Sequence, residues 1–298
     1  MRHELVICTK DRPDDTRRCL ESVAAQSRRP DRVIIVDSSA ADATRRSVEA
    51  VTRQTSLTTE FLKGTPGLTA QRNLGLTQLD ESTDIVHFVD DDTILDPEYF
   101  REILAVFESS SEVGGVGGRI SNLPEHSPRW HRRAFLLNSR RQGVLLRSGV
   151  NVFSFSGDRP RRVGWLSGCS MSYRRRSITG LRFDETRTGG GLGEDVDFSA
   201  RLAQRAPLMW TPMAVLEHRQ SPINREDVAA VARRRIRNRW RLAGDRVGSV
   251  NPTAVLYGAV GEILISLVKA AVLRSRHHWN LAAATAAGLG DVVKGTPV

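Results

Sequence analysis

The run Ile85-Val86-His87-Phe88-Val89 passes straight into Asp90-Asp91-Asp92, and no other stretch limits the fold as tightly. Four apolar residues around one histidine fill both faces of a covered strand, the pattern of a buried parallel sheet. Three ionised carboxylates cannot continue inside such a sheet without counter-charge, so the strand must end there, with its acids facing solvent, a cation or a cationic ligand. One Asp at a strand end is an ordinary solvated turn. Three in a row repel one another unless something positive sits beside them. Hard carboxylate oxygens suit Mg²⁺ or Mn²⁺ completed by water and phosphate oxygens, so the junction is read as a metal–diphosphate site. Asp96-Pro97-Glu98 follows, with Asp96 placed as N-cap and Pro97 at the first position of a helix.

The same strand-to-helix alternation runs through the N-terminal part. Glu4 to Cys8 reads as a first strand and Asp14 to Gln26 as an amphipathic helix; Val33 to Val36 ends on Asp37 before a helix from Ala41 to Thr52. Leu57 to Leu62 leads through Gly64-Thr65-Pro66-Gly67 into a helix from Leu68 to Leu79. Alternation at this spacing implies right-handed crossovers and a parallel sheet, whose ligands bind outside the carboxyl ends of the strands. Thr9 to Arg12, Asp37 to Ser39, Gly64 to Gly67 and Asp90 to Asp92 are therefore expected on one rim. Arg72, at a helix start beside that rim, is a candidate phosphate or base contact.

Beyond a Gly-rich strand from Val113 to Ile120, periodicity fades from Ser121 to Arg162, an interval holding His126, Trp130, His131, Arg132, Arg133, Arg140 and Arg141. It reads as an acceptor-side loop, because long irregular stretches in compact domains tend to be functional. Val163 to Tyr173, rich in small residues, reads as a strand whose backbone lies close to a ligand. Ser167 and Ser170 do not complete a nucleophile elbow, and the glycines of Gly189-Gly190-Gly191-Leu192-Gly193 make neither a dinucleotide fingerprint nor a P-loop. They lead into Glu194-Asp195-Val196-Asp197. Acids suit a helix N-terminus on dipole grounds alone, yet a flexible lead-in also lets a bulky substrate approach, and Asp195 is read as a base kept ionised by the helix dipole.

The C-terminal part has a different character. Arginines stud the segment from Arg233 to Arg241, and Ala254 to Leu273 is a 20-residue apolar stretch carrying Glu262, Ser266 and Lys269 on one helical face. A charge at the centre of a membrane-spanning helix costs about 2.5–3.5 kcal/mol, so the stretch reads as a docking or interfacial helix. The net charge of +10 admits nucleic acid, anionic lipid and phosphorylated ligands as partners. Three cysteines with no CxxC spacing give neither a zinc knuckle nor a disulfide framework. The first strand begins almost at Met1, so the sequence leads us to expect a cytoplasmic protein, peripheral at most on the inner face of the plasma membrane.

Cys8-Thr9-Lys10-Asp11-Arg12-Pro13, Ile35 to Ser39, Gln71-Arg72-Asn73, Phe88 to Asp92, Gly193 to Asp197 and Arg237-Asn238-Arg239-Trp240 together resemble the family 2 glycosyltransferases, in that order and over about Glu4 to Trp240. The resemblance implies an α/β fold of the nucleotide-diphospho-sugar transferase (GT-A) type, a mostly parallel sheet flanked by helices. It implies domains at 1–222, with a donor half to about 120 and an acceptor half from 121, and a helical appendage at 223–298. By the same resemblance Thr9, Asp11, Arg12, Asp37, Arg72, Asp90 and Asp91 line the donor pocket, Asp92 and more weakly His218 hold Mg²⁺ or Mn²⁺, Asp195 is the catalytic base and Glu194 orients the acceptor. Trp165, Gly168, Arg239 and Trp240 would contact a glycan or lipid-linked acceptor. Arg237 stands where processive synthases carry Gln, which implies transfer of one sugar from a nucleotide-diphospho-sugar. Two other classes remain from the sequence: a sugar-phosphate nucleotidyltransferase, against which the acids Glu194-Asp195 and the lack of an early Gly-rich phosphate loop argue, and a nucleic-acid-binding protein that would exploit the Arg-rich helix.

Overall fold

A computed structural model describes residues 1–123, 129–153, 156–187, 193–221, 223 and 227–295. In chain order the elements are β1 (His3–Thr9), α1 (Pro13–Ala24), β2 (Arg32–Asp37), α2 (Ala43–Thr55), β3 (Thr59–Lys63), α3 (Leu68–Thr77), β4 (Ile85–Asp90), β5 (Thr93–Leu95), α4 (Tyr99–Ser109) and β6 (Gly115–Ile120). There follow α5 (Trp130–Ala134), β7 (Arg161–Val163), β8 (Met171–Arg174), α6 (Glu194–Leu202), β9 (Leu208–His218), α7 (Val228–Gly244), α8 (Pro252–Val272) and α9 (Arg276–Val293). They form two compact units, one of residues 1–125 and 154–224, the other of 126–153 and 225–298.

The first unit is built on a mixed sheet of order β3-β2-β1-β4-β8-β6-β9-β5, with β7 paired to β9. β1, β2, β3 and β4 are parallel, as the βα alternation requires, whereas β8 runs antiparallel to both β4 and β6. Register brings the rim together directly: Thr9 pairs with Asp37, Cys8 with Asp90 and Asp37 with Lys63. Helix α1 starts with Pro13 at its head and Asp14 and Asp15 in its first turn, and buries Cys19, Leu20 and Val23. On the other face of the sheet Val6, Ile34, Phe88, Met171, Tyr173 and Trp210 share a core with Phe183 and Phe198, whose rings stack at 4.2 Å.

Two local expectations give way here. Asp96 does not cap a helix: Thr93–Leu95 forms an extra strand against β9, and α4 begins only at Tyr99, while the Asp96 carboxylate accepts from the Glu98 amide at 3.1 Å. Pairing with a strand more than a hundred residues away overrides the local capping signal. Val163 to Tyr173 is likewise not one strand but β7 and β8 with a turn between, closed by Ser170 N–H donating to Ser167 O at 2.8 Å.

The second unit gathers α5, α7, α8 and α9. The 126–153 segment, expected in the acceptor half, clusters here with the C-terminal helices. The reason is steric fit that spacing does not reveal: a Cβ on Gly261 would fall 2.3 Å from the Phe135 side chain, and one on Gly258 3.1 Å from Ser148, so this segment lies directly against α8. Asp227 caps α7 by accepting from the Ala229 and Ala230 amides, each at 3.0 Å, and Asn251 caps α8 through the Ala254 amide at 3.0 Å. α8 is long and apolar enough to cross a membrane by length and composition.

Candidate active site

The rim predicted from topology is present within the first unit. Thr9 O accepts from Ser38 N–H at 3.1 Å and Asp37 O from Gly64 N–H at 2.9 Å, tying the ends of β1, β2 and β3 to their loops. Gln71, which sequence reasoning left without a role, donates from its side-chain amide to Thr9 O at 2.9 Å and Val36 O at 2.8 Å, fixing α3 to two strand ends. Asp37 is buried, its carboxylate accepting from the Ser39 amide at 2.9 Å and from Lys63 Nζ at 3.2 Å. Asp11 adopts a left-handed conformation, φ 56°, and its amide donates to Ser39 Oγ at 2.6 Å, so the first loop folds back onto the second.

The three acids separate into distinct environments. Asp91 accepts from Arg12 Nη1 at 2.9 Å, and burial pushes its carboxyl up to about 7 despite that guanidinium. Asp92 is held below the usual carboxylate range: burial works against this, but His218, the Ser221 amide at 2.8 Å and Arg12 outweigh it. His218 Nε2 lies 3.0 Å from Asp92 Oδ1 and 3.7 Å from Asp90 Oδ2. Burial disfavours an imidazolium there, yet the bonds to Asp92 and Cys169 raise it to about 11. Asp90, Cys169 and His218 bring ligand atoms within 4.8 Å of one another. Cys169 was not foreseen; its only signal was its place in the small-residue turn before β8. Burial pushes its thiol up, so it lines the cluster as a neutral group. Two carboxylates and the imidazole, which must give up its proton to bind, form a donor set that suits a divalent ion such as Mn²⁺, and the residues present fit one.

Arg72 is the centre of the other half. Its guanidinium is buried, donates to Glu194 Oε1 at 2.6 Å, Asp90 Oδ1 at 3.2 Å and Gly168 O at 3.2 Å, and sits over the Phe183 ring. A Cβ at Gly168 would lie 3.0 Å from Arg72 Nη2 and 3.2 Å from Glu194 Oε1, so only glycine fits this approach without displacing the pair. Gly168 N–H donates to Asp195 Oδ2 at 2.8 Å, and the Val196 amide donates to Oδ1 at 2.8 Å. Asp195 is half-buried at the head of α6. The helix dipole was expected to keep its pKa low; instead burial raises it, against the Gly168 amide and Arg72. Burial also takes Glu194 up to about 8, with Asp195 adding to the rise and Arg72 opposing it.

Thr9, Asp11, Arg12, Asp37, Arg72, Asp90, Asp91, Asp92, Gly168, Glu194, Asp195 and His218 thus all belong to the first unit and are linked by one web of contacts. Glu194, expected to orient the acceptor, is 6 % exposed and turns Oε1 onto Arg72. Trp165 is only 4 % exposed, which leaves its ring packed in the protein rather than open for stacking. Arg239 and Trp240 lie on α7 in the second unit, and the Arg239 guanidinium is taken up by Glu262 at 3.1 and 3.3 Å. The glycines at 189–191 and His126 lie outside the described residues.

The glycosyl transferase family 2 model matches residues 4–179, more than half of the chain and the stretch that supplies the rim and the acidic cluster. The chain belongs to that family. It is a glycosyltransferase of GT-A architecture. Its fold is similar to that of the mannosyltransferase PcManGT from Pyrobaculum calidifontis, solved with GDP-Man and Mn²⁺, at TM-score 0.62 and 15% identity over 99% of this chain and 88% of that one. It is similar to GalNAc-T7, solved with UDP, GalNAc and Mn²⁺, at TM-score 0.59 and 13% identity over 83% and 49%. TarS from S. aureus matches at TM-score 0.52 and 18% identity over 90% of this chain, which spans 42% of the TarS chain. At these identities the likeness is one of fold. No curated protein matches the sequence.

Proposed function

We propose that this glycosyltransferase is inverting and metal-dependent, and moves one sugar from a nucleotide-diphospho-sugar to a hydroxyl of a glycan or lipid-linked acceptor. The observation that carries the reading is the placement of Asp195: both carboxylate oxygens are held by backbone amides, one of them from Gly168, whose carbonyl in turn accepts from the Arg72 that binds Asp90. A carboxylate so fixed, with a pKa raised by burial, is oriented and basic enough to take the acceptor hydroxyl's proton as that oxygen attacks the sugar. Attack from the side opposite the departing diphosphate in one displacement inverts the anomeric centre. Arg72 and Arg12 supply fixed positive charge at the donor rim, where negative charge grows as the sugar leaves.

Asp92, Asp90 and His218 would hold Mg²⁺ or Mn²⁺, which when bound neutralises charge on the leaving nucleoside diphosphate. The solved neighbours holding Mn²⁺ with a nucleotide or nucleotide-sugar support this assignment. The reading extends to a cytoplasmic enzyme of cell-surface glycan, polysaccharide or glycolipid synthesis, working at the inner face of the plasma membrane. The test is a panel of nucleotide-sugars, following nucleoside diphosphate release with and without Mn²⁺, alongside Asp92→Asn and Asp195→Asn. Turnover lost in both, with donor binding retained only in Asp195→Asn, is expected. Turnover of any donor that survives Asp195→Asn would remove the base assignment, and equal turnover in EDTA would remove the metal.

A further inference from the structure

The helical unit carries an amphipathic surface turned the unusual way round. On α8, Tyr257, Val260, Leu264, Val268 and Val272 are all exposed, Val268 at 62 % and Val272 at 75 %. Spaced three or four residues apart, they cover about 120° of the helix and run about 22 Å along it. Glu262, Ser266 and Lys269 take the opposite side, where Glu262 is spent on Arg239. A helix with its charge inward and its aliphatic side chains outward lacks a covering surface.

The charge around it indicates what that surface is. The unit of 126–153 and 225–298 holds 18 Lys and Arg against 5 Asp and Glu, a net +13, so the rest of the chain is −3 and the whole positive excess sits with the apolar stripe. Each end of the stripe has an exposed tryptophan with arginines beside it in sequence. At one end Tyr257 donates to Ala134 O at 3.1 Å, which joins the stripe to α5 with Trp130, 77 % exposed, and its neighbours Arg129 and Arg133. At the other, Arg274 and Arg276 follow the helix, and Trp279 is 61 % exposed. An aliphatic stripe flanked by basic and aromatic residues matches a bilayer surface: along its whole length the stripe faces the acyl boundary, while the tryptophans reach the interface and the arginines the anionic headgroups.

We propose that α8 lies flat in the interface of an anionic bilayer and holds the enzyme there as a peripheral membrane protein. It does not cross, because its inner side is committed to the unit: Glu262 pairs with Arg239 of α7, and α9, which follows α8, returns to α7 through Arg233 and Asp291 at 2.7 Å. This attachment is independent of the catalytic reading, since none of its residues belongs to the acidic cluster.

The experiment is flotation of the full chain with phosphatidylcholine vesicles with and without phosphatidylglycerol, at low and high salt. The wild type is expected to float with the anionic vesicles only, less so in high salt, and to be released by a carbonate wash. Leu264→Gln with Val268→Gln, both surface changes, should lower the partition by at least about tenfold. Arg274→Glu with Arg276→Glu should lower it roughly fivefold per residue and lessen the salt dependence. Circular dichroism checks that each variant is folded. Failure of the wild type to float at low salt, or flotation of the Leu264/Val268 variant equal to wild type, overturns the proposal. Resistance to carbonate would replace the flat helix by a spanning one. A dimer in sedimentation that the Leu264/Val268 pair dissolves, without flotation of the wild type, would assign the stripe to a second copy and equally overturn it.

Discussion

The two units handle charge in opposite ways. In the first, aliphatic strands form the interior and ionisable groups gather at one rim, where Arg72, Asp90, Glu194 and Asp195 are drawn inward and fixed. In the second, Arg239 and Glu262 are drawn inward as well, but the aliphatic side chains of α8 face out. Buried charge alone therefore does not identify a reactive site. What differs is what the buried ions hold: in the helical unit they join one helix to another, and at the rim they orient a carboxylate that remains half-accessible.

The largest effect that would test this contrast is on turnover. On the proposed assignment Asp195→Asn removes the base and leaves an acceptor for only one of the two backbone amides, so kcat should fall by about 10²–10⁴ with donor affinity, read by calorimetry, unchanged. Next comes Arg72→Met, which leaves Glu194 buried without its partner; a loss of about 3–5 kcal/mol in urea unfolding is expected, partly recovered by adding Glu194→Gln. Full stability in the single variant would show that the ions at the rim are not structurally coupled.

A smaller effect lies at the far end of the same sheet. His3 Nδ1 and His87 Nε2 are 3.1 Å apart and buried, and burial lowers His3 to about 4. The unfolded chain protonates this histidine first as pH falls, so stability is complete above about 6.5 and declines toward pH 4, by about 3 kcal/mol for His3 alone. Comparing urea midpoints at neutral and acid pH, His3→Gln should show a shallower decline than wild type. The smallest effect belongs to the helical unit. Val268→Ser touches an exposed side chain and should shift stability by less than about 0.5 kcal/mol, although vesicle binding weakens.

Much of the rim was legible because it is made of local signals: each apolar strand ends on a polar loop, and parallel topology brings those ends together without any knowledge of tertiary contacts. The family motifs fall where that logic puts them. What could not be read depended on partners far away in sequence. β5 exists because Leu216–His218 pairs with it, and Cys169 reaches His218 across a turn whose spacing carries no ligand signature. The basicity of Asp195 was misjudged for the same reason. The helix dipole is visible in the sequence, whereas the burial that outweighs it is supplied by residues from other elements. Helix α9 was expected only as an undivided part of the helical appendage at 223–298, its Ala-rich run lacking the apolar periodicity that would have delimited it.

Gly168 presents its carbonyl to Arg72 and its amide to Asp195. On the reading proposed above, an engineer wishing to change which alcohol this enzyme accepts, by resculpting the surroundings of Asp195, would therefore also disturb the Arg72 cation at the donor rim. Donor and acceptor preferences would then be mechanically wired through one residue without a side chain, and altering either alone would call for changes placed well outside that turn.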